Sequence, residues 1–388
     1  MGYLNHYKCV KCNRTFSLME NVLVCGDCGH LLLVEYDLYR ARQEMYQKKW
    51  PNDRSMWRFV DLLPNIAPEK RISLNEGATP IQLLRKMSME QAGRLFVLDE
   101  GANPTGNLAD REMSLFFSAL QSRLKKGVLL TGSPNSCISA AAYAARAGIP
   151  AAMVIWPSLP NQFLGELTSY GVETITARQK GAQLKAIQKQ VVEKQGLIAV
   201  TPFSSPFRVE GAKTLFLDVW QRFNSRLPDY IFLPLGEGVS LIGFWKALNE
   251  LRQLGELNGK MPTVVVVESA HNAVLMPKLN PYFVDSGHSE SVAQDFNAEE
   301  NRELDLLLEI LRQEKWPVAA VDDEQILKVR KQIARTEGIL LSPEGCAAIA
   351  AYQNLKSELI KDGETHSVLF INPVNGSKYV QSIGFLGN

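Results

Sequence analysis

A chain of 388 residues with 46% hydrophobic content can bury a full core, and its length corresponds to roughly two to three structural units. Lys plus Arg number 42 against 41 for Asp plus Glu, a formal charge of +1 with no long like-charge block, which excludes a nucleic-acid or acidic-partner arm. No apolar run nears the roughly 20 residues that cross a bilayer, and the start "MGYLNHYKCVKC" has neither signal-peptide order nor a myristoylation pattern, so a cytoplasmic protein with no membrane partner is expected.

The first element is a pair of knuckles, Cys9-x2-Cys12 and Cys25-x2-Cys28, with twelve residues between them. Two residues between thiolates let one tight turn present both sulfurs to one ion, and two such turns complete a closed, structural tetrahedral site. Residues 1–38 therefore read as a zinc ribbon with Cys9, Cys12, Cys25 and Cys28 as ligands. The basic residues nearby, Lys8, Lys11 and Arg14, are too few to make it a nucleic-acid module. Residues 39–75 follow as a connector: a helical stretch from Tyr39 to Trp50, then "WPNDRSMWRFVDLLPNIAPEKR", packed on the main body by its aromatics.

From Ser73 onward apolar runs alternate with amphipathic stretches. "RLFVLDE", "KGVLLTGS", "PAAMVIWP", "VETITAR", "GLIAVTP", "DYIFLPLG", "PTVVVVESA" and "HSVLFINP" read as strands, interleaved with helices such as "AAAYAARAG" and "LIGFWKALNELRQLG". Strands so continuously apolar imply parallel sheet covered on both faces. Eight of them exceed one small sheet, which predicts an α/β protein of two lobes, 76–107 with 201–388 and 108–200, and a ligand cleft between the lobes at the strands' C-terminal ends. Residues 286–301, polar and acidic, read as an exposed loop.

Two strand-to-helix turns stand out. "TGSPNS" sets Ser133, Asn135 and Ser136 at a helix N-terminus, a seat for an anion, and "LGEGVS" repeats the device with Gly236, Glu237, Gly238 and Ser240. Cys137 lies at the start of the first helix, where the dipole lowers a thiol's pKa, though no histidine partner is evident; Cys346 in "EGCAAIAAY" reads as core.

"SMWRFVDLLP", "SLNEGATPI", "NPTGNLADR", "AAAYAARAGIP", "FRVEGAKT", "PDYIFLPLGEGVSLIGFWKALNEL" and "EGILLSPEGCAAIAAYQNL" stand in one order and spacing. In that order and spacing the sequence resembles the threonine synthases and their pyridoxal-phosphate (PLP) relatives of fold type II, the tryptophan synthase β-like enzymes. The resemblance implies two lobes of parallel sheet, a homodimer and a cofactor held as a Schiff base by a lysine on the helix after "NPTG". That position is Ala109 here. A methyl group can neither form the Schiff base nor shuttle a proton.

Further departures accompany it. The family's phosphate cradle is "GEGVS" here, so Glu237 puts a carboxylate where an anion belongs, a repulsion of about 4 kcal/mol at a spacing of about 4 Å, and Val239 replaces a glycine. "FINPVNGSK" sets Pro373 where the family has a hydroxyl near the ring nitrogen, and Pro134 replaces a glycine, while Asn135 is kept. The resulting expectation is a threonine-synthase-like pseudoenzyme: structural zinc, no PLP, and a binding or regulatory role toward a small molecule or a protein partner. Whether it is an enzyme stays open. One alternative is PLP-free acid–base chemistry on an amino-acid-like or phosphorylated substrate, with Glu237, Ser240 and Arg208 catalytic and Asn103, Thr105, Asn107, Arg111, Ser133, Asn135, Ser136, Gly236 and Gly238 binding; Asp110 and Glu210 stand among the polar residues. Another is a PLP-dependent lyase or threonine synthase drawing its amine from Lys213, Lys246 or Lys378, with Lys246 expected on a solvated helix surface.

Overall fold

The computed structural model describes residues 3–380 except 21, 46–52, 92, 158, 225, 258, 285–289, 298–302 and 361–363. In chain order the strands are β1 (Leu4–Cys9), β2 (Thr15–Ser17), β3 (Leu32–Tyr36), β4 (Ile81–Leu83), β5 (Arg94–Asp99), β6 (Val128–Leu130), β7 (Ala151–Ile155), β8 (Glu173–Thr176), β9 (Ile198–Val200), β10 (Tyr230–Pro234), β11 (Thr263–Ser269), β12 (Val318–Val321) and β13 (Ser367–Asn372). The helices are α1 (Leu38–Met45), α2 (Arg85–Gln91), α3 (Ala109–Leu120), α4 (Pro134–Ala147), α5 (Asn161–Ser169), α6 (Ala182–Gln195), α7 (Pro206–Arg222), α8 (Val239–Leu254), α9 (Met276–Leu279), α10 (Leu304–Glu314), α11 (Asp323–Glu337) and α12 (Pro343–Leu359). Of the expected helix from Tyr39 to Trp50, residues 46–50 lie outside the described residues, as do parts of the 286–301 loop.

The chain divides into two compact units, Met1–Glu76 with Ala109–Thr214, and Gly77–Leu108 with Leu215–Asn388. This division differs from the expected 108–200 and 76–107/201–388 lobes, because the ribbon and connector join the first unit and the second crossing falls inside the continuous helix α7.

In the first unit β6, β7, β8 and β9 form a parallel sheet of order β8-β7-β6-β9 over a core that includes Leu129, Val154 and Leu184. The N-terminal strands make an antiparallel ribbon of order β2-β1-β3. The connector packs by the aromatic anchors read from its sequence: Trp57 is buried and its indole N–H donates to Ser114 Oγ of α3 at 3.1 Å.

In the second unit six strands run β12-β11-β10-β13-β5-β4, parallel except for β4, which pairs antiparallel with β5. The runs "YIFLP", "TVVVVES" and "SVLFIN" are buried almost throughout, as strands covered on both faces must be. Helix ends follow their sequence signals. Ser342 caps α12 by accepting the Gly345 N–H, with Pro343 at the first turn, and α8 ends on Gly255 at φ +76°. Among the described residues no helix is long and apolar enough to cross a membrane.

Candidate functional site

The N-terminal cysteines form the first cluster. Sγ atoms of Cys9 and Cys28 are 3.5 Å apart, Cys12 and Cys25 3.6 Å, Cys12 and Cys28 3.7 Å, and all four lie within 4.8 Å of one another. Four sulfurs at 2.3 Å from a tetrahedral zinc would be about 3.8 Å apart. The turns of the ribbon thus set four thiolates at the spacing that one zinc ion demands, and the donor set fits the metal.

In the second unit, the segment before α3 is braced rather than open. Asn103, expected as a ligand contact, accepts the Gly77 N–H at 2.9 Å through Oδ1 and donates from Nδ2 to the Glu100 carbonyl (3.0 Å) and carboxylate Oε2 (2.7 Å). Thr105 and Asn107 are buried, and Asn107 bridges Val374. Leu108 N–H donates to Pro373 O at 2.8 Å and Asn375 N–H to Gly106 O at 2.9 Å, so the loop after β13 is stitched to this segment by backbone. A Cβ at Gly101 would lie 2.6 Å from the Asn375 nitrogen, which only glycine avoids.

In the first unit, Ala109 opens α3 and is 7% exposed. Its neighbours are engaged. Ser139 Oγ donates to Asp110 Oδ1 at 2.5 Å, and Arg111 Nη1 donates to Thr214 Oγ1 at 3.2 Å. Tyr143 donates its hydroxyl to Glu76 Oε2 at 2.6 Å, and burial, together with the Asp110 and Glu76 carboxylates, holds that phenol well above the usual tyrosine range. Glu112, which sequence reasoning did not single out, pairs with Arg208 at 2.6 Å, both buried.

Arg208 Nη2 also donates to Ser136 Oγ at 3.1 Å. Of the expected site residues the structure therefore brings Arg208 and Ser136 into contact at the start of α4, where Ser133 caps the helix by accepting the Ser136 N–H. Asn135 is buried in the same turn. Cys137 is buried, with Sγ 3.9 Å from the Gly132 carbonyl oxygen, and Cys346 lies in the core as expected.

The β10–α8 turn again belongs to the second unit. Gly236 (φ +51°) and Gly238 (φ +88°) supply left-handed backbone, and a Cβ at Gly236 would meet nothing within 4 Å. Glu237 is half-buried, Val239 is buried in the first helical position, and Ser240 follows it, 8% exposed. Glu237 and Ser240 thus share one turn, as the sequence spacing requires.

A family model described as "Pyridoxal-phosphate dependent enzyme" matches residues 72–373. The chain belongs to that family. It is 27% identical over 377 residues to threonine synthase of Methanocaldococcus jannaschii, covering 93% of this chain and 90% of the relative, and 26% identical over 366 residues to that of Methanosarcina acetivorans, covering 90% and 86%. Among solved structures it is similar in fold to O-ureido-L-serine synthase (TM-score 0.66, 21% identity, 82% and 95% covered) and to the L-serine ammonia-lyase of Rhizomucor miehei (TM-score 0.63, 17%, 78% and 98%).

The family's cofactor fits this chain only in part. The glycine turn Gly236–Gly238 retains backbone suited to an anion at the start of α8, but Glu237 adds a carboxylate to it. At position 109 the buried methyl offers no amine. The lysines weighed as substitutes differ in setting. Lys213 is fully buried and paired with Glu210 at 2.6 Å. Lys246, expected on a solvated surface, is instead 6% exposed and ion-paired with Glu250 one turn away, because that face of α8 is buried. Lys378 is half-buried, and a Cβ built at Gly106 would lie 3.2 Å from its Cε. The residues present do not fit pyridoxal phosphate held at position 109.

Proposed function

We propose that this chain is a threonine-synthase-like protein that takes up a small amino-acid-like or phosphorylated molecule and does not perform its family's covalent lysine chemistry at position 109. Ala109 carries the reading: it opens α3 with a methyl group amid Asp110, Arg111 and Glu112, whose polar contacts are intact around it. Glu237 supports it, since a carboxylate in the α8 turn opposes a phosphate by about 4 kcal/mol at a spacing of about 4 Å. In the first unit, the start of α4, with Ser133, Asn135 and Ser136, favours a ligand's anionic end. Arg208, neutralised by Glu112, acts there by holding Ser136 rather than by clamping a substrate. If a substrate is turned over, Glu237 and Ser240 are the groups set to move a proton.

A second reading is an enzyme that uses the cofactor through another amine. The comparisons by themselves favour it, because the family is one of cofactor-dependent enzymes and its named relatives here are threonine synthases. Lys378 is the candidate, with its stem against Gly106.

One experiment separates the two. Purified protein is mixed with pyridoxal phosphate, scanned in the near-visible, reduced with borohydride and weighed intact. No band and no adduct is the expected result. A reduced adduct mapped to Lys378 would establish the second reading and end the first.

A further inference from the structure

The ribbon is built into the first unit rather than appended to it. β3 is buried along nearly its whole length, with Leu32, Leu33, Val34 and Tyr36 all inside, which a free-standing ribbon of this size could not achieve. The Tyr36 hydroxyl, at the end of β3, donates to Glu210 Oε2 of α7 at 2.5 Å. The same carboxylate oxygen receives Lys213 Nζ at 2.6 Å, and that ammonium lies 4.3 Å from the centre of the Tyr36 ring. On β1, Tyr7 meets Phe207 of α7 edge-on at 6.4 Å between ring centres. Tyr36 therefore completes the surroundings of a buried ion pair on α7, and Tyr7 packs on the same helix.

Glu210 and Lys213 are both fully buried. A buried pair depends on every further hydrogen bond, since desolvation of each charge costs several kcal/mol. Removing the tyrosine hydroxyl alone takes a hydrogen bond from Glu210 while the ring still covers the pair, leaving less compensation at undiminished burial. Two residues before Glu210, the same helix carries Arg208, which reaches Ser136 at the start of α4. A ribbon with four thiolates and little core of its own takes its folding energy from the ion.

We propose that a zinc ion held by Cys9, Cys12, Cys25 and Cys28 locks the Phe207–Thr214 part of α7 through the Tyr36–Glu210–Lys213 contact, so that metal occupancy governs the Arg208–Ser136 contact at the start of α4. This rests on the ribbon holding zinc and is independent of whether the chain uses pyridoxal phosphate.

The test is hydrogen exchange of the full chain, read by mass spectrometry over Phe207–Thr214, alongside zinc content by elemental analysis. Three samples are compared: protein as purified, protein stripped with a chelator, and Tyr36→Phe. One zinc per chain is expected, with α7 amides exchanging about tenfold faster or more after stripping. Tyr36→Phe should keep its zinc yet show the same region loosened, which a purely local ribbon role would not produce. A chain that carries no zinc and takes none up when zinc is added overturns the metal reading and the proposal with it. One zinc per chain with α7 exchange changing less than twofold on stripping overturns the proposal alone. Should Tyr36→Phe fail to fold, the comparison of zinc-bound with stripped protein decides.

Discussion

A glycine and an alanine define the framework around the start of α3. Gly211 of α7 lies where an added Cβ would sit 2.2 Å from the Arg111 carbonyl oxygen and 2.6 Å from the Glu112 Cα. Those are backbone atoms and cannot swing aside, so Gly211 is what lets α7 approach α3 closely enough for Arg208 to reach Glu112. Gly211→Ala should force the helices apart and cost about 3 kcal/mol, measured by urea unfolding; a variant within about 0.5 kcal/mol of the parent would mean the helices do not cross so closely. The motif "FRVEGAKT" is visible in the sequence, but the reason for its glycine is not, because the contact lies some hundred residues away. Ala109 is the converse. Its chemical poverty is plain from the sequence, and the structure adds that it is buried among engaged neighbours.

Among elements, the long buried strands were legible because burial on both faces demands unbroken apolar runs, as in β10, β11 and β13. β4 and β12 were not. Three or four residues with mixed exposure carry no periodicity, and β4 owes its place to antiparallel pairing at the sheet edge. The candidate site divides in the same way. The four cysteines announced themselves by spacing, whereas the bracing role of Asn103 did not, because a polar side chain after a strand reads alike whether it meets a ligand or braces a loop. Here it ties Gly77 to Glu100. Asn103→Ala should therefore lower stability by about 2–3 kcal/mol through lost bonds to a buried carboxylate and a backbone N–H. Chemical denaturation checks it. A variant of unchanged stability would mean that these bonds do not brace the loop.

Over the whole molecule, buried carboxylates set the pH dependence. Burial pushes Asp99, Glu268 and Glu344 above the ordinary carboxylate range, whereas Asp229 is held below it because hydrogen bonds from Ser367 and the Lys260 charge outweigh its burial. Glu344 is the deepest of the raised group: fully buried in the first turn of α12, it accepts the Tyr379 hydroxyl at 2.8 Å and the Asp295 N–H at 3.1 Å on Oε1. Its Oε2 has no hydrogen-bond partner among the described residues. A carboxyl whose folded pKa exceeds its unfolded one binds more protons when folded, so stability falls as pH rises from the unfolded value, near 4.3 for glutamate, toward the folded value. A tenfold difference in proton affinity between the folded and unfolded chain is worth about 1.4 kcal/mol. Glu344→Gln keeps the carbonyl acceptor and fixes the neutral form, so its stability relative to the parent should climb through that window and level off above it. Unfolding curves for both proteins between about pH 4 and pH 8 isolate this one group, since Asp229 and the rest cancel in the difference. A constant difference across the range would mean that Glu344 binds its proton equally well in the folded and unfolded chain, its donors just offsetting its burial.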